Sequence, residues 1–371
     1  MHKIVFEFES ESDGSYTDIS DDESVSEKII QPELIPWIEK YRPKRLKYII
    51  GQEYIVTMLT PYLSTKYSEV TKDTVDQNLP HLIFYGPPGT GKTSTILAFA
   101  HELFGPQRFK ERILELNASD NKGINFVRND IKKFSEMING TADPNYPSPD
   151  FKIIILDEAD SMTQDAQAAL RASMEETSEK TKFCIICNYA NQIIDPIKSR
   201  CVAIQFKPIS LNFLEEKLKT IAENENVKIS DEIIKTIVDI SEGDARNAIN
   251  TLQHAVYILK CNGKITKNDI YNITGNVQLK VLNKIWENIT TQSVKEIMNL
   301  TQHICSSAYN IESIIKFLSE KNLNADYSDK KKAEISFKIS ETDKRITDSG
   351  DECVQLLNIL VQINQIIKQK N

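Results

Sequence analysis

Long apolar runs are missing from this sequence. No stretch of the 371 residues approaches the roughly twenty apolar positions that cross a bilayer, so no membrane span is expected. The first residues also lack a basic stretch followed by an apolar one, the mark of a secretory leader, and an intracellular protein is the expectation. A second cysteine pair is missing too. Of the six cysteines only Cys184 and Cys187 stand as C-x-x-C, inside the apolar run 183–187, which reads as a buried strand. Positions three apart on a strand face opposite sides, so buried free thiols are expected there ahead of a zinc site. Finally, there is no basic surplus. The net charge is −8, but residues 1–30 hold nine acidic and two basic side chains, which leaves the remainder at −1. A nucleic-acid surface is therefore not excluded, but it must be local.

What is present divides the chain. Residues 1–33 are acidic, Ser-rich and without apolar periodicity, and read as a disordered tail. Over 34–208, apolar runs at 82–85, 113–116, 153–156, 183–187 and 202–206 alternate with helical patterns. That order predicts an α/β domain with a parallel sheet covered on both faces. Helices are expected at 211–223, 231–241 and 244–260, the last with an apolar stripe of period 3.6. A small helical domain over 209–274 and an all-helical domain over 275–371 follow. Residues 64–78, 139–150 and 322–332 are polar; the first two read as surface insertions, the third as a loop or helix-end insertion. No internal repeat is present.

The segment Gly86-Pro87-Pro88-Gly89-Thr90-Gly91-Lys92-Thr93 follows one expected strand and precedes a helical run, 93–104. That is the setting in which G-x-x-x-x-G-K-[ST], the Walker A loop, binds phosphate. Glycines let successive N–H groups turn inward, and the helix N-terminus adds positive potential. Lys92 would reach the β- and γ-phosphates of ATP, and Thr93 would ligate Mg²⁺. Sixty residues on, an apolar strand delivers Asp157-Glu158-Ala159-Asp160 to the same sheet edge. Asp157 is the expected Mg²⁺ partner through water, and Glu158 the general base. The same four letters occur in DEAD-box helicases, but the second RecA-like domain of those enzymes has no counterpart here.

Further segments carry a resemblance: Pro36-Trp37-Ile38-Glu39-Lys40-Tyr41-Arg42-Pro43 with Gly51-Gln52, Asn117-Ala118-Ser119-Asp120, Cys187-Asn188-Tyr189, Ser199-Arg200-Cys201, Gly243-Asp244-Ala245-Arg246 and residues 342–347. With the phosphate loop and the acidic box, they make the chain resemble the small subunits of replication factor C, AAA+ clamp-loader ATPases, from Pro36 nearly to the C-terminus. The resemblance implies a RecA-like AAA+ domain, a helical lid and a helical collar. It implies that Tyr41, Arg42 and Pro43 pack around adenine, although from the residues alone a plain structural role is as good a reading. Asn188 would be a first sensor of the γ-phosphate, and Arg246 a second sensor on the lid. Arg200 would be an arginine finger acting in trans on a neighbour's ATP, work suited to an always-charged, forked guanidinium. The implied partners are other clamp-loader subunits in a pentamer, a PCNA-like sliding clamp, and primer–template DNA. The implied compartment is the nucleus in a cellular eukaryote, and otherwise the cytoplasm or a viral replication compartment.

The helix expected after residue 120 places Arg128 and Lys132 four apart on one face, away from its apolar stripe. Alone they read as a solvated face; in the family the equivalent helices follow the DNA backbone. Where the family commonly has a second arginine after Arg171 and after Arg246, this chain has Ala172 and Asn247. Interface or DNA contacts made by those charges are thus in question, and the nucleotide assignments are not. Two other readings remain: a scaffold subunit that binds ATP with little turnover, and an AAA+ DNA motor such as a branch-migration helicase.

Overall fold

The computed structural model describes residues 35–63, 79–119, 124–137 (side chains from 130), 145–291, 293–307 and 309–369. The acidic tail, the insertion at 64–78, the side chain of Arg128 and residues 139–144 of the stretch 139–150 lie outside these residues. Residues Trp37 to the end of the chain form one compact unit.

A sheet of β1 (His81–Tyr85), β2 (Ile113–Asn117), β3 (Lys152–Asp157), β4 (Thr181–Cys187) and β5 (Cys201–Gln205) has the order β2-β3-β4-β1-β5. Every pairing is parallel, with Leu82 opposite Cys184 and Asn117 opposite Asp157. Alternate residues feed two cores. Ile153, Ile155, Cys184 and Ile186 join one, packed against the helix after β1. Ile154, Leu156, Phe183, Ile185 and Cys187 join the other. Cys184 and Cys187 are therefore buried free thiols on opposite faces, as the strand period requires.

Continuous burial holds for β4 and nearly so for β3, but not for all five strands. β5 is an edge strand that exposes Val202, and β2 at the other edge, after buried Ile113, alternates half-buried and exposed positions. An edge strand has a neighbour on one side only, so apolar sequence there does not guarantee cover.

The helices of this part are α1 (Trp37–Lys40), α2 (Glu53–Leu59), α3 (Lys92–Arg112), α4 (Ile124–Glu136), α5 (Gln164–Thr177) and α6 (Asp195–Lys198). α3 is broken at Gly105, whose φ of +75° precedes Pro106, so its first segment ends where the apolar pattern does. On α4, Ile131 and Phe134 are buried and Lys132 is exposed. α7 (Leu211–Asn224), α8 (Asp231–Ser241), α9 (Ala245–Asn262) and α10 (Lys267–Thr274) form a separate core around Leu214, Leu218, Ile237 and Leu252. Trp37 of α1 is buried in that core, and its backbone N–H donates to Gln253 at 3.1 Å.

A further core joins α11 (Leu279–Thr291), α12 (Val294–Ser306), α13 (Ile311–Asn324), α14 (Asp329–Thr347) and α15 (Glu352–Lys368). The polar stretch 322–332 is mostly helical, and only 325–328 separates α13 from α14. Its polarity misleads because Asn322 is buried and donates to the Lys332 carbonyl and to Ser336 Oγ, tying the two helices together. Cys305 and Cys353 form a disulfide between α12 and α15, with Cα atoms 6.0 Å apart. Among the described residues no helix is long and apolar enough to cross a membrane.

Candidate functional site

The loop after β1 and the start of α3 open onto a cleft of about 1170 Å³, counting its solvent-open mouth. Gly86, Gly89 and Gly91 all have positive φ, and two of them also need the absence of a side chain. A Cβ on Gly86 would sit 2.2 Å from the Phe206 carbonyl oxygen. One on Gly89 would sit 1.7 Å from Asp244 Oδ1. The loop is thus pressed between the end of β5 and the N-terminus of α9. Across that second contact the Ala245 N–H donates to the Gly89 carbonyl at 3.1 Å, and Asp244 caps α9 through the Asn247 N–H at 2.9 Å.

Lys92 Nζ donates to the carbonyls of Gly86 and Pro87, at 2.7 and 2.8 Å, and to Asn188 Oδ1 at 3.0 Å. Burial pulls its pKa below the ordinary lysine value, and the nearby Asp157 carboxylate pulls back. Thr93 Oγ1 donates to Asp157 Oδ2 at 2.7 Å, so a hydroxyl and a carboxylate, both hard oxygen donors, already sit side by side. That pair fits Mg²⁺, which binds through a few protein oxygens and substrate phosphates.

Glu158 is exposed and stands in the left-handed region, φ +53°, at the turn out of β3. Its N–H donates to Asp157 Oδ1 at 2.9 Å. A non-glycine residue there is uncommon and marks a backbone held by its surroundings. The last acid of the box also takes part: Asp160 Oδ2 accepts from the Asn188 N–H at 3.1 Å and lines the cleft.

The opposite wall of the cleft comes from Tyr41, Arg42, Pro43, Tyr48 and Ile50, with Ile209, Lys217, Arg246 and Ile249 from beyond the sheet. Tyr41 Oη donates to Glu225 at 2.6 Å, and Lys40 pairs with the same carboxylate at 2.6 Å. Burial, then the hydrogen bond to Glu225 and its charge, push the Tyr41 phenol pKa upward.

Gly89, Thr90, Gly91, Lys92, Thr93, Asp157, Glu158, Asn188, Arg246, Tyr41, Arg42 and Pro43 therefore meet at one cleft, with Pro88 beside them. Arg200 does not line it. It lies outside, between α6 and β5, paired with Glu175. Lys132 does not line the cleft either.

Sequence reasoning assigned no role to Asp160, Lys217, Glu225 or Gln52. Gln52 is buried and donates from Nε2 to the Lys207 carbonyl at 2.7 Å. Asp160 belongs to the acidic box and carried a signal. Lys217 sits within α7 and Glu225 just past its end, and neither carried one.

Comparison with known proteins places this geometry. Residues 82–209 match the ATPase family associated with various cellular activities. Residues 216–256 match an AAA+ ATPase lid domain, and 277–362 the replication factor C C-terminal domain. Replication factor C subunit 4 of Arabidopsis thaliana is 43% identical over 328 residues, 87% of this chain and 93% of the relative. The chain belongs to the replication factor C small-subunit family. Replication factor C subunit 2 of Saccharomyces cerevisiae is 42% identical, across 89% of this chain and 93% of its own length. This member of the family is thus an AAA+ ATPase with a nucleotide cleft. A point-mutant structure of Thermotoga maritima RuvB covers 67% of this chain and 79% of its own, with TM-score 0.50 and 17% identity. At that identity the likeness is one of fold, and it carries no argument for a branch-migration motor.

Proposed function

We propose that the chain is an ATP-dependent clamp-loader subunit. Together with other replication factor C subunits, in a pentamer, it holds a PCNA-like ring open around primer–template DNA and releases it on hydrolysis. The observation that carries the reading is the division of the chemical groups. Lys92, Thr93, Asp157, Glu158, Asn188 and Arg246 converge on one cleft, while Arg200 stands off it. An arginine held at the surface, off its own chain's cleft, suits assembly in which each chain completes its neighbour's cleft.

In this reading the amides at the start of α3 cradle the phosphates, and Lys92 exchanges the Gly86 and Pro87 carbonyls for phosphate oxygens. Thr93 and Asp157, directly or through water, would hold Mg²⁺, which screens the phosphate charge. Glu158 polarises the attacking water, and Asn188, held by Asp160, senses the γ-phosphate. Arg246 reports nucleotide to the lid, which already rests on Gly89. Tyr41, Arg42 and Pro43 surround the adenine. The division into nucleotide domain, lid and collar near residues 208 and 274 belongs to the same proposal. So do contacts of Arg128 and Lys132 with the DNA backbone, which charge reversal at both positions would weaken together with DNA-stimulated turnover.

The test uses the chain assembled with its partners. Lys92→Ala should abolish nucleotide binding at its own cleft. Glu158→Gln should keep binding and lower turnover there by about 10²–10⁴. Arg200→Ala should leave its own nucleotide affinity intact and slow the adjacent site, where a finger contributes on the order of 10³–10⁵. Tagged chain that captures neither further clamp-loader subunits nor a sliding clamp would overturn the reading.

A further inference from the structure

Away from the cleft, one carboxylate holds two arginines. Glu175, in the last turn of α5, accepts from Arg171 Nε one turn earlier at 3.0 Å and from Arg200 Nη2 at 2.5 Å. The Pro196 carbonyl takes Arg200 Nη1 at 2.7 Å, and Ser199 Oγ lies 3.4 Å from the same nitrogen. The neighbouring charges, Lys198 and Asp195, pair with each other at 3.0 Å. Arg200 is thus gripped from two directions, by α5 and by the end of α6, although its side chain is more than a third exposed.

A guanidinium has five N–H donors in a fixed fork. Glu175 takes one N–H of Nη2, and Pro196 and Ser199 both draw on Nη1, which leaves Nε–H and a second N–H on Nη2 for an incoming anion. The contact therefore orients the group without consuming it. Two guanidiniums share one carboxylate, so the cluster keeps a positive charge of one. The hydrogen bond from Arg171, and then the two arginine charges, hold the Glu175 pKa below its ordinary range, so the carboxylate stays ionised at neutral pH. Without Glu175, an exposed arginine on a short loop would sample many rotamers, and few would present the fork to a phosphate.

We propose that Glu175 is a positioning residue. It fixes the guanidinium of Arg200, with Arg171 beside it, in the orientation that meets the phosphates of the neighbouring subunit's ATP. The inference rests on the reading of Arg200 as a finger in trans. It assigns Glu175 a part in catalysis on a molecule this chain does not itself bind.

The experiment uses the full complex with its partner subunits and measures DNA-stimulated ATP turnover. The Arg200-dependent share is the part that Arg200→Ala removes. Glu175→Gln should cut that share on the order of tenfold in kcat, as expected when a catalytic group is misplaced but present. KM for ATP and the nucleotide affinity of this chain's own cleft should stay unchanged. On an Arg200→Ala background Glu175→Gln should add no further loss, because the two changes act through one contact. Glu175→Asp, which keeps the charge on a shorter arm, should recover part of the rate. Undiminished or raised turnover in Glu175→Gln would overturn the proposal, the latter by showing that the carboxylate restrains the finger. An equal fractional loss on the Arg200→Ala background, or weaker nucleotide binding in the chain's own cleft, would also overturn it in favour of a structural role for α5. If Arg200→Ala itself removes nothing, the finger reading fails first, and that result is distinguishable from a failure of Glu175 alone.

Discussion

His81, at the start of β1, has a chemistry that its letter does not announce. Its Nδ1 accepts the Phe183 N–H at 3.1 Å, and its ring meets the Phe183 ring edge-on at 5.5 Å. Burial, with the Lys182 charge behind it, lowers its pKa from 6.5 to about 4. Between those values the unfolded chain takes up a proton that the folded chain does not. Stability should therefore be full above about pH 6.5, fall as the pH drops towards 4, and lose nothing more from this residue below that. Urea midpoints at pH 7 and pH 5 check this, and His81→Gln, which keeps an acceptor, should reduce the difference between them. At the same scale the candidate site was unevenly legible. Lys92, Thr93, Asp157 and Glu158 stand in motifs whose spacing has a chemical reason. Glu175 is an ordinary helical acid and Glu225 an acid just past the end of α7, and only the approach of Arg200 and Tyr41 from elsewhere in the chain gives them work.

Among the elements, strand and helix positions were legible because period and burial agree. β3 and β4 are apolar on both faces because helices cover both. β5 shows where that inference stops, since apolar residues on an edge strand do not reveal whether anything covers them. The loop glycines offer a direct test. Gly86→Ala brings a methyl group against a backbone carbonyl that cannot swing aside, and φ is +143° there. It should cost about 1–3 kcal/mol from crowding, beyond the backbone penalty, and weaken ATP binding with it. Gly263→Ala, at the end of α9, meets nothing within 4 Å and should cost only the left-handed penalty of roughly 1–2 kcal/mol. Thermal unfolding and nucleotide titration of both variants check the contrast.

For the whole molecule, the contacts that matter join distant parts. α1 sits in the core of α7 to α10, and Asp244 and Ala245 rest on the phosphate loop, so movement of that helical group must be felt at both walls of the cleft. In the C-terminal helices Cys305 and Cys353 pair across 48 residues. Closing a loop of that length stabilises by about 4 kcal/mol at most on the chain-entropy estimate. A reductant should lower the melting temperature of the C-terminal helices in the native chain and leave a Cys305→Ser variant unmoved. A melt indifferent to reductant would remove the disulfide from the account of stability.

By itself the sequence determined the parallel α/β sheet, the helical remainder, the family and most of the groups that line the cleft. Those depend on periodicity and on motifs whose residues lie close together in the chain. Only the tertiary structure decided that Trp37 belongs with the lid helices, that Cys305 meets Cys353, and that one carboxylate on α5 holds Arg200. Each is a contact between residues 25 to more than 200 apart. Such contacts follow from how the cores pack, and local sequence does not encode which side chains that packing brings together.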